Sequence, residues 1–256
     1  MDTVAEKIRD ARIMASLTMS DLAKLADVSI STISRAESGK IVPTANTYLA
    51  LLRAAGFTDG GDRIVPVSRP SATWTARWLV QDLLDAPHDA DMWLPAWQRV
   101  GLVSQDCDVL DYEGLLFRAG RSASLVDRPG IVTAPTHELA PQIGARLAAA
   151  GVDYAITGDE ALARLGAPLI PSWPVVYVRD VRAALAATGL APALPGEWSP
   201  RRVSFLPFDG SSEVGRIQTD DGTWWASPVQ AVIDGYAGYG RMTEQAEAVV
   251  NTWQAA

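Results

Sequence analysis

Thiols and imidazoles are nearly missing from this 256-residue chain: Cys107 is its one cysteine, and His88 and His137 are its two histidines. A lone thiol excludes an intrachain disulfide and any zinc site built on paired thiolates. His137 is followed by Glu138 but by no second imidazole one helical turn on, which excludes a metalloprotease-type site. Lysine is scarce as well. Lys7, Lys24 and Lys40 are the whole complement, and every basic residue after Lys40 is arginine. No apolar run approaches the roughly 18 residues needed to span a bilayer. The chain opens on Asp2, Glu6 and Lys7 in place of a signal peptide, so a reducing, cytoplasmic setting with no membrane is expected.

Apolar residues, by contrast, make up 48% of the chain, enough for a sizeable core and for two domains, or one domain with an appendage. The net charge of -8 argues against nonspecific coating of nucleic acid, which needs clustered Lys and Arg. The charge is unevenly spread. Residues 1–57 carry seven basic and six acidic side chains, a net of +1 that leaves -9 for the rest, as if two units of different character were joined. Nothing in the residue pattern calls for a metal or a cofactor, and none is expected.

Val4, Ile8, Ile13 and Met14 recur at helical spacing, predicting an amphipathic helix from Thr3 to Ser16. Thr18 then caps a second, short helix through Leu22, Ala23 and Leu25, with Asp21 in its first turn. After Ala26-Asp27-Val28, Ser29 caps a third helix in which Ile33 and Ala36 face the core while Ile30, Ser31, Thr32, Ser34 and Arg35 lie on or beside the opposite face. Ser38-Gly39-Lys40 closes it, and Tyr48, Leu51, Leu52 and Ala55 have the spacing of one or two closing helices before Gly56. Two short helices joined by a tight turn, the second opening on small polar side chains, is the arrangement that enters a DNA major groove. The run LTMSDLAKLADVSISTISRAESGKIVPTANTYLALLRAAGF resembles the Xre or lambda-repressor-type helix-turn-helix regulators. That resemblance implies base contacts from Ile30, Ser31, Thr32 and Arg35 and phosphate contacts from Ser29, Ser38 and Lys40. Arg35 suits direct readout, since its fork bonds guanine O6 and N7 together. One short reading surface further implies double-stranded DNA with an inverted-repeat operator, met by a homodimer or by cooperative copies.

Residues 58–70 read as a linker whose Ile64-Val65-Pro66-Val67 run is at best an edge strand. Residues 71–128 read as a helical, Trp-rich segment: Trp74, Trp78, Leu79 and Leu83 share one helix, Met92, Trp93, Trp97 and Val100 another, and Tyr112–Arg118 continues the layer. Such a tryptophan stripe serves either as interhelical core or as the wall of a small-molecule pocket.

From 129 to 256 short extended runs alternate with helices. Ile131–Thr133, Val152–Ile156, Pro174–Val178 and Val203–Leu206 read as strands, Val214–Trp225 as a hairpin about Asp221-Gly222, and 135–150, 159–165, 180–187, 228–236 and 243–253 as helices. The fold class is therefore an all-α helix-turn-helix domain plus an α+β domain with a mixed sheet flanked by helices. The order of GVDYAITGDEALARLGAP, VVYVRD and the closing ASPVQAVIDGYAGYGRMTEQAEAVVNTW resembles the AbiEi-type antitoxins, whose carboxy-terminal domain is similar to a minimal nucleotidyltransferase core. That resemblance implies a repressor of its own operon that opposes a nucleotidyltransferase toxin. Active nucleotidyltransferases hold two magnesium ions on a carboxylate pair one residue apart. Here Thr157-Gly158-Asp159 takes the place of the phosphate-cradling turn, and Val175–Val178 carries no acid, with Asp180 alone beyond it. The departure speaks against an enzyme. A ligand-sensing regulator with its pocket in the carboxy-terminal region, and an active nucleotidyltransferase, remain the alternatives.

Overall fold

Each of the first four helices starts where a hydroxyl side chain takes up an amide that the helix itself cannot satisfy. A computed structural model of the chain describes residues 2–81, 85–168, 174–194, 201–238 and 240–254. In it Thr3 caps α1 (Val4–Met14), Thr18 caps α2 (Met19–Ala26), Ser29 caps α3 (Ile30–Glu37) and Thr44 caps α4 (Ala45–Ala54). Each such cap contributes about 1 kcal/mol. The four helices enclose Ile8, Leu22, Ile33, Leu51 and Leu52. The stretch expected as a linker opens with an antiparallel hairpin, β1 (Phe57–Asp59) and β2 (Ile64–Pro66). Phe57 and Ile64 pack on the helical core. Lys7 Nζ pins the hairpin, donating to Asp59 Oδ1 at 2.8 Å and to the Gly61 carbonyl at 2.5 Å, while the Tyr48 hydroxyl donates to Asp59 Oδ2 at 3.0 Å.

Three helices follow, α5 (Pro70–Val80), α6 (Ala90–Val100) and α7 (Tyr112–Ser122). Trp93 and Trp97 stack at 5.7 Å and belong to the buried core, whereas Trp74 and Trp78 are half-buried. Leu83, expected on the first of these helices, lies outside the described residues.

The rest of the chain runs β3 (Val132–Pro135), α8 (Ala140–Ala149), β4 (Tyr154–Thr157), α9 (Asp159–Arg164), β5 (Val175–Val178), α10 (Val181–Thr188), β6 (Arg202–Pro207), β7 (Ile217–Gln218), β8 (Trp224–Trp225), α11 (Pro228–Ala237) and α12 (Met242–Gln254). The strands form one mixed sheet in the order β3-β6-β5-β4-β8-β7, parallel at β6/β5 and β4/β8 and antiparallel elsewhere. Both faces of β4 and β5 are buried, which is why they read as largely apolar runs. Ile156, Val176 and Val178 pack with α8 and α10 on one face; Ala155 and Tyr177 lie on the other. α5, α6 and α7 share a single core with α9, α11 and α12, so the Trp-rich helices are continuous with the carboxy-terminal region.

One expected helix begins later than its sequence pattern implied. Pro135 closes β3 opposite Arg202, and α8 starts only at Ala140, with Pro141 in its first turn and Gln142 Oε1 accepting from the Leu139 amide at 2.8 Å. His137 and Glu138 thus precede the helix, and Glu138 pairs with Arg146 at 2.6 Å.

Two arginines are sealed beneath the sheet. Arg77 donates to the carbonyls of Ser211 and Val214 and to Gln230 Oε1, the last at 3.2 Å. Arg128 donates to the Tyr177 hydroxyl and the Ala123 carbonyl and faces Asp234, whose carboxylate also accepts from Thr157 and Gln230. Burial pushes the Asp234 carboxyl above its ordinary range against the opposing pull of Arg128.

Candidate nucleic-acid interface

The turn between α2 and α3 is three residues long. Asp27 ends α2 in the left-handed region at φ 55°, the Val28 amide returns to the Ala23 carbonyl at 2.9 Å, and Ser29 opens α3. Ile33 and Ala36 anchor the inner side of α3 in the core. Glu37, one residue on, is buried too, and Arg12 of α1 meets it with two bonds, Nε to Oε1 at 2.7 Å and Nη2 to Oε2 at 2.9 Å. Arg9 adds a bond to the Glu37 carbonyl at 2.6 Å. The pairing raises the Arg12 guanidinium above its ordinary value and fixes α3 against α1.

With that side held, the other is presented. Ser29, Ile30, Ser31, Arg35, Ser38 and Lys40 are exposed and Thr32 is half-exposed. Ser29 Oγ accepts from the Thr32 amide at 3.1 Å and bonds Ser31 Oγ and Thr32 Oγ1, both at 2.8 Å, so the three hydroxyls form one cluster at the start of the helix. The Thr32 amide is taken by this cap, which leaves the Ile30 and Ser31 amides ahead of it to meet an anion. Ser38 Oγ donates back to the Arg35 carbonyl at 3.2 Å, and the Lys40 amide donates to the same oxygen at 2.8 Å. The side chains of Arg35 and Lys40 take no protein partner among the described residues.

The charges of this face are set by a few side chains, among them the exposed carboxylate of Asp27. Glu6 is occupied with the Thr3 cap, Asp21 with the Thr18 cap and with Arg118 at 3.7 Å, and Glu37 with Arg12. Arg35 and Lys40 are left to act outward. The pairing of half-buried Arg12 with buried Glu37 escaped sequence reasoning because the two lie 25 positions apart. A trace existed all the same: Glu37 follows Ile33 by four and Ala36 by one, so helical periodicity alone puts its carboxylate on the buried side, where it needs a cation.

The domain is moored to the remainder at other points. Arg99 Nε donates to the Lys24 carbonyl at 2.8 Å and Arg121 Nη2 to the Met14 carbonyl at 2.7 Å, cations set against the carboxy-terminal ends of α2 and α1. Neither contact covers the exposed residues of α3.

The family described as a helix-turn-helix domain matches residues 4–63, from the first residue of α1 through β1. No curated protein and no solved structure matches the chain. The amino-terminal region is thus a helix-turn-helix domain of the kind found in DNA-binding regulators, followed by a region of helices and a mixed six-stranded sheet. No described helix is long and apolar enough to cross a membrane.

Proposed function

We propose that the chain is a transcriptional repressor that reads an inverted-repeat operator through two copies of α3, one per half-site. The observation that supports it most is Arg35, an exposed guanidinium without a protein partner on a helix whose inner side is locked by Ile33, Ala36 and the Arg12–Glu37 pair. Ser31 and Thr32 add short hydroxyls that bond base edges, Ile30 an apolar surface for a thymine methyl, and Ser29, Ser38 and Lys40 border the helix where phosphates run. A single lightly charged reading helix binds modestly, so the proposal includes pairing, as a standing homodimer or by cooperative docking. Footprinting on the fragment upstream of the chain's own reading frame tests it: two protected half-sites about one helical turn apart are expected, and uniform protection at every concentration refutes it.

A narrower role is proposed beside it, that of an AbiEi-like antitoxin acting without catalysis against a nucleotidyltransferase toxin. Its support is the resemblance of the carboxy-terminal sequence, together with the fate of the acids there. Asp180 caps α10 through the Arg182 and Ala183 amides, Asp234 faces Arg128, and a Cβ on Gly158 would stand 3.1 Å from Met242 Cε and 3.2 Å from Val175 Cγ2, so side chains crowd that turn. Rescue of growth when the chain is coexpressed with a neighbouring nucleotidyltransferase tests this role. Labelling of RNA or protein by the purified chain with nucleotide and magnesium refutes the non-catalytic part.

A further inference from the structure

Between the helix-turn-helix domain and α6 lies a cleft of about 200 Å³. Ala26, at the end of α2, and Arg53, in the last turn of α4, form one wall; Arg69, Trp93, Trp97 and Arg99 belong to the other. No Asp or Glu is among the described residues that line it. Arg99 is committed to the Lys24 and Leu25 carbonyls. Arg53 and Arg69 are not committed: neither guanidinium has a hydrogen-bond or ion-pair partner among the described residues. Arg69 is also half-buried, sits at the N-cap position of α5 where the helix dipole is positive, and is lowered from its ordinary pKa by burial and then by the like charge of Arg53. Two cations brought to one cleft, one of them partly desolvated, are an unfavourable arrangement that an anion between them relieves.

The remaining walls indicate the body of that anion. Trp93 and Trp97 border the cleft from the buried core, only 9% and 1% exposed, and Leu25, Ala50, Met92 and Ala96 complete an apolar lining; the Trp93 indole N–H is already donated to Ser71 Oγ at 3.1 Å, so nothing polar is asked of a ligand there. The volume falls below the roughly 300–1,000 Å³ of sites for drug-sized ligands, which suits a single ring. A larger cleft of about 360 Å³ contains both Arg121 and Asp127 and carries no comparable excess charge. We propose that the Arg53–Arg69 cleft binds a small aromatic carboxylate, its charge between the two guanidinium groups and its ring among the apolar side chains of Leu25, Met92, Trp93 and Ala96. One wall belongs to the DNA-binding domain and the other does not, so the bound anion ties the two together and acts as an effector of operator affinity. This last part rests on the repressor reading above.

Isothermal titration of the full chain with benzoate, its neutral analogue benzamide, and inorganic phosphate tests the site. One benzoate per chain is expected, with benzamide and phosphate each at least about tenfold weaker, and with the Arg53→Gln/Arg69→Gln double variant weakened by a similar factor. Benzoate that binds no better than benzamide, or equally well to the double variant, overturns the proposal, and phosphate as tight as benzoate overturns its aromatic part. Without ligand the double variant should melt no lower than wild type, because a repulsion has been removed; a lower melting point shows that the arginines hold the fold and contradicts a ligand role. In gel shifts benzoate should change operator affinity in wild type and leave the double variant unmoved. Equal affinity with and without benzoate overturns the effector part alone, whereas benzoate binding in a chain that ignores the operator counts against the repressor reading alone.

Discussion

Arg128 and Asp234 face each other at 3.4 Å with 2% and 0% of their side chains exposed, joining the segment after α7 to α11 beneath the sheet. Removing one partner strands the other charge away from water. Asp234→Ala is expected to cost about 3–5 kcal/mol in urea unfolding, whereas the Arg128→Met/Asp234→Leu double variant should recover most of that loss. A double variant as unstable as Asp234→Ala would show that the surrounding bonds from Thr157 and Gln230, and not the charge pair, govern the effect.

Acid should loosen the hairpin against α1. The Lys7 ammonium, then the Gly61 amide and the Tyr48 hydroxyl, hold the Asp59 carboxyl below its ordinary value. A carboxyl depressed in the folded state contributes stability above its unfolded pKa of about 3.9 and loses it as the pH falls through the lower, folded value. The amino-terminal domain should accordingly unfold at lower urea as the pH drops below about 4, and Asp59→Asn should flatten that acid limb. An unchanged acid limb in the variant contradicts the assignment.

Gly120 sets how closely α7 approaches α11. A Cβ there would stand 2.5 Å from Tyr236 Cβ, 2.6 Å from the Ile233 carbonyl oxygen and 3.0 Å from the Ala237 amide nitrogen, and two of those atoms are backbone. Gly120→Ala should cost about 1–3 kcal/mol, read as a lower melting temperature, because the helices must separate.

These cases mark what was legible beforehand. The four amino-terminal helices were, because their signals are local: hydroxyl caps at Thr18 and Ser29, and Ile33 with Ala36 on one face. The order of strands and helices after Val132 was also readable, since β4 and β5 are buried throughout and mostly apolar. Pairings between distant residues were not. Arg77 with Gln230 joins positions 153 apart, Arg128 with Tyr177 positions 49 apart, and nothing near either arginine in sequence announces a buried cation. The start of α8 is less legible because Pro135 and Pro141 both suit a helix's first turn, and it is pairing with the distant Arg202 that keeps Pro135 in β3. On the reading helix, exposure followed from periodicity, but the hydroxyl cluster joining Ser29, Ser31 and Thr32 needed coordinates.

Asp27 offers a way to improve the domain. Its φ of 55° is a conformation an L side chain adopts at a cost, and its exposed carboxylate stands three residues before α3. Asp27→Gly should stabilise the domain by about 0.5 kcal/mol and, by removing a negative charge from the DNA side, raise operator affinity a few-fold. Thermal melts and gel shifts at fixed salt check the two effects separately.

The central claim is that α3 reads bases through Arg35 while Lys40 meets the backbone. The most direct measurement is competition binding of wild type, Arg35→Ala and Lys40→Ala to the operator and to a scrambled duplex across a salt series. Arg35→Ala should lose its preference for the operator, about 1–3 kcal/mol, while Lys40→Ala should weaken both duplexes alike and lower the salt slope by about 1. An Arg35→Ala protein that still prefers the operator as strongly as wild type contradicts the account.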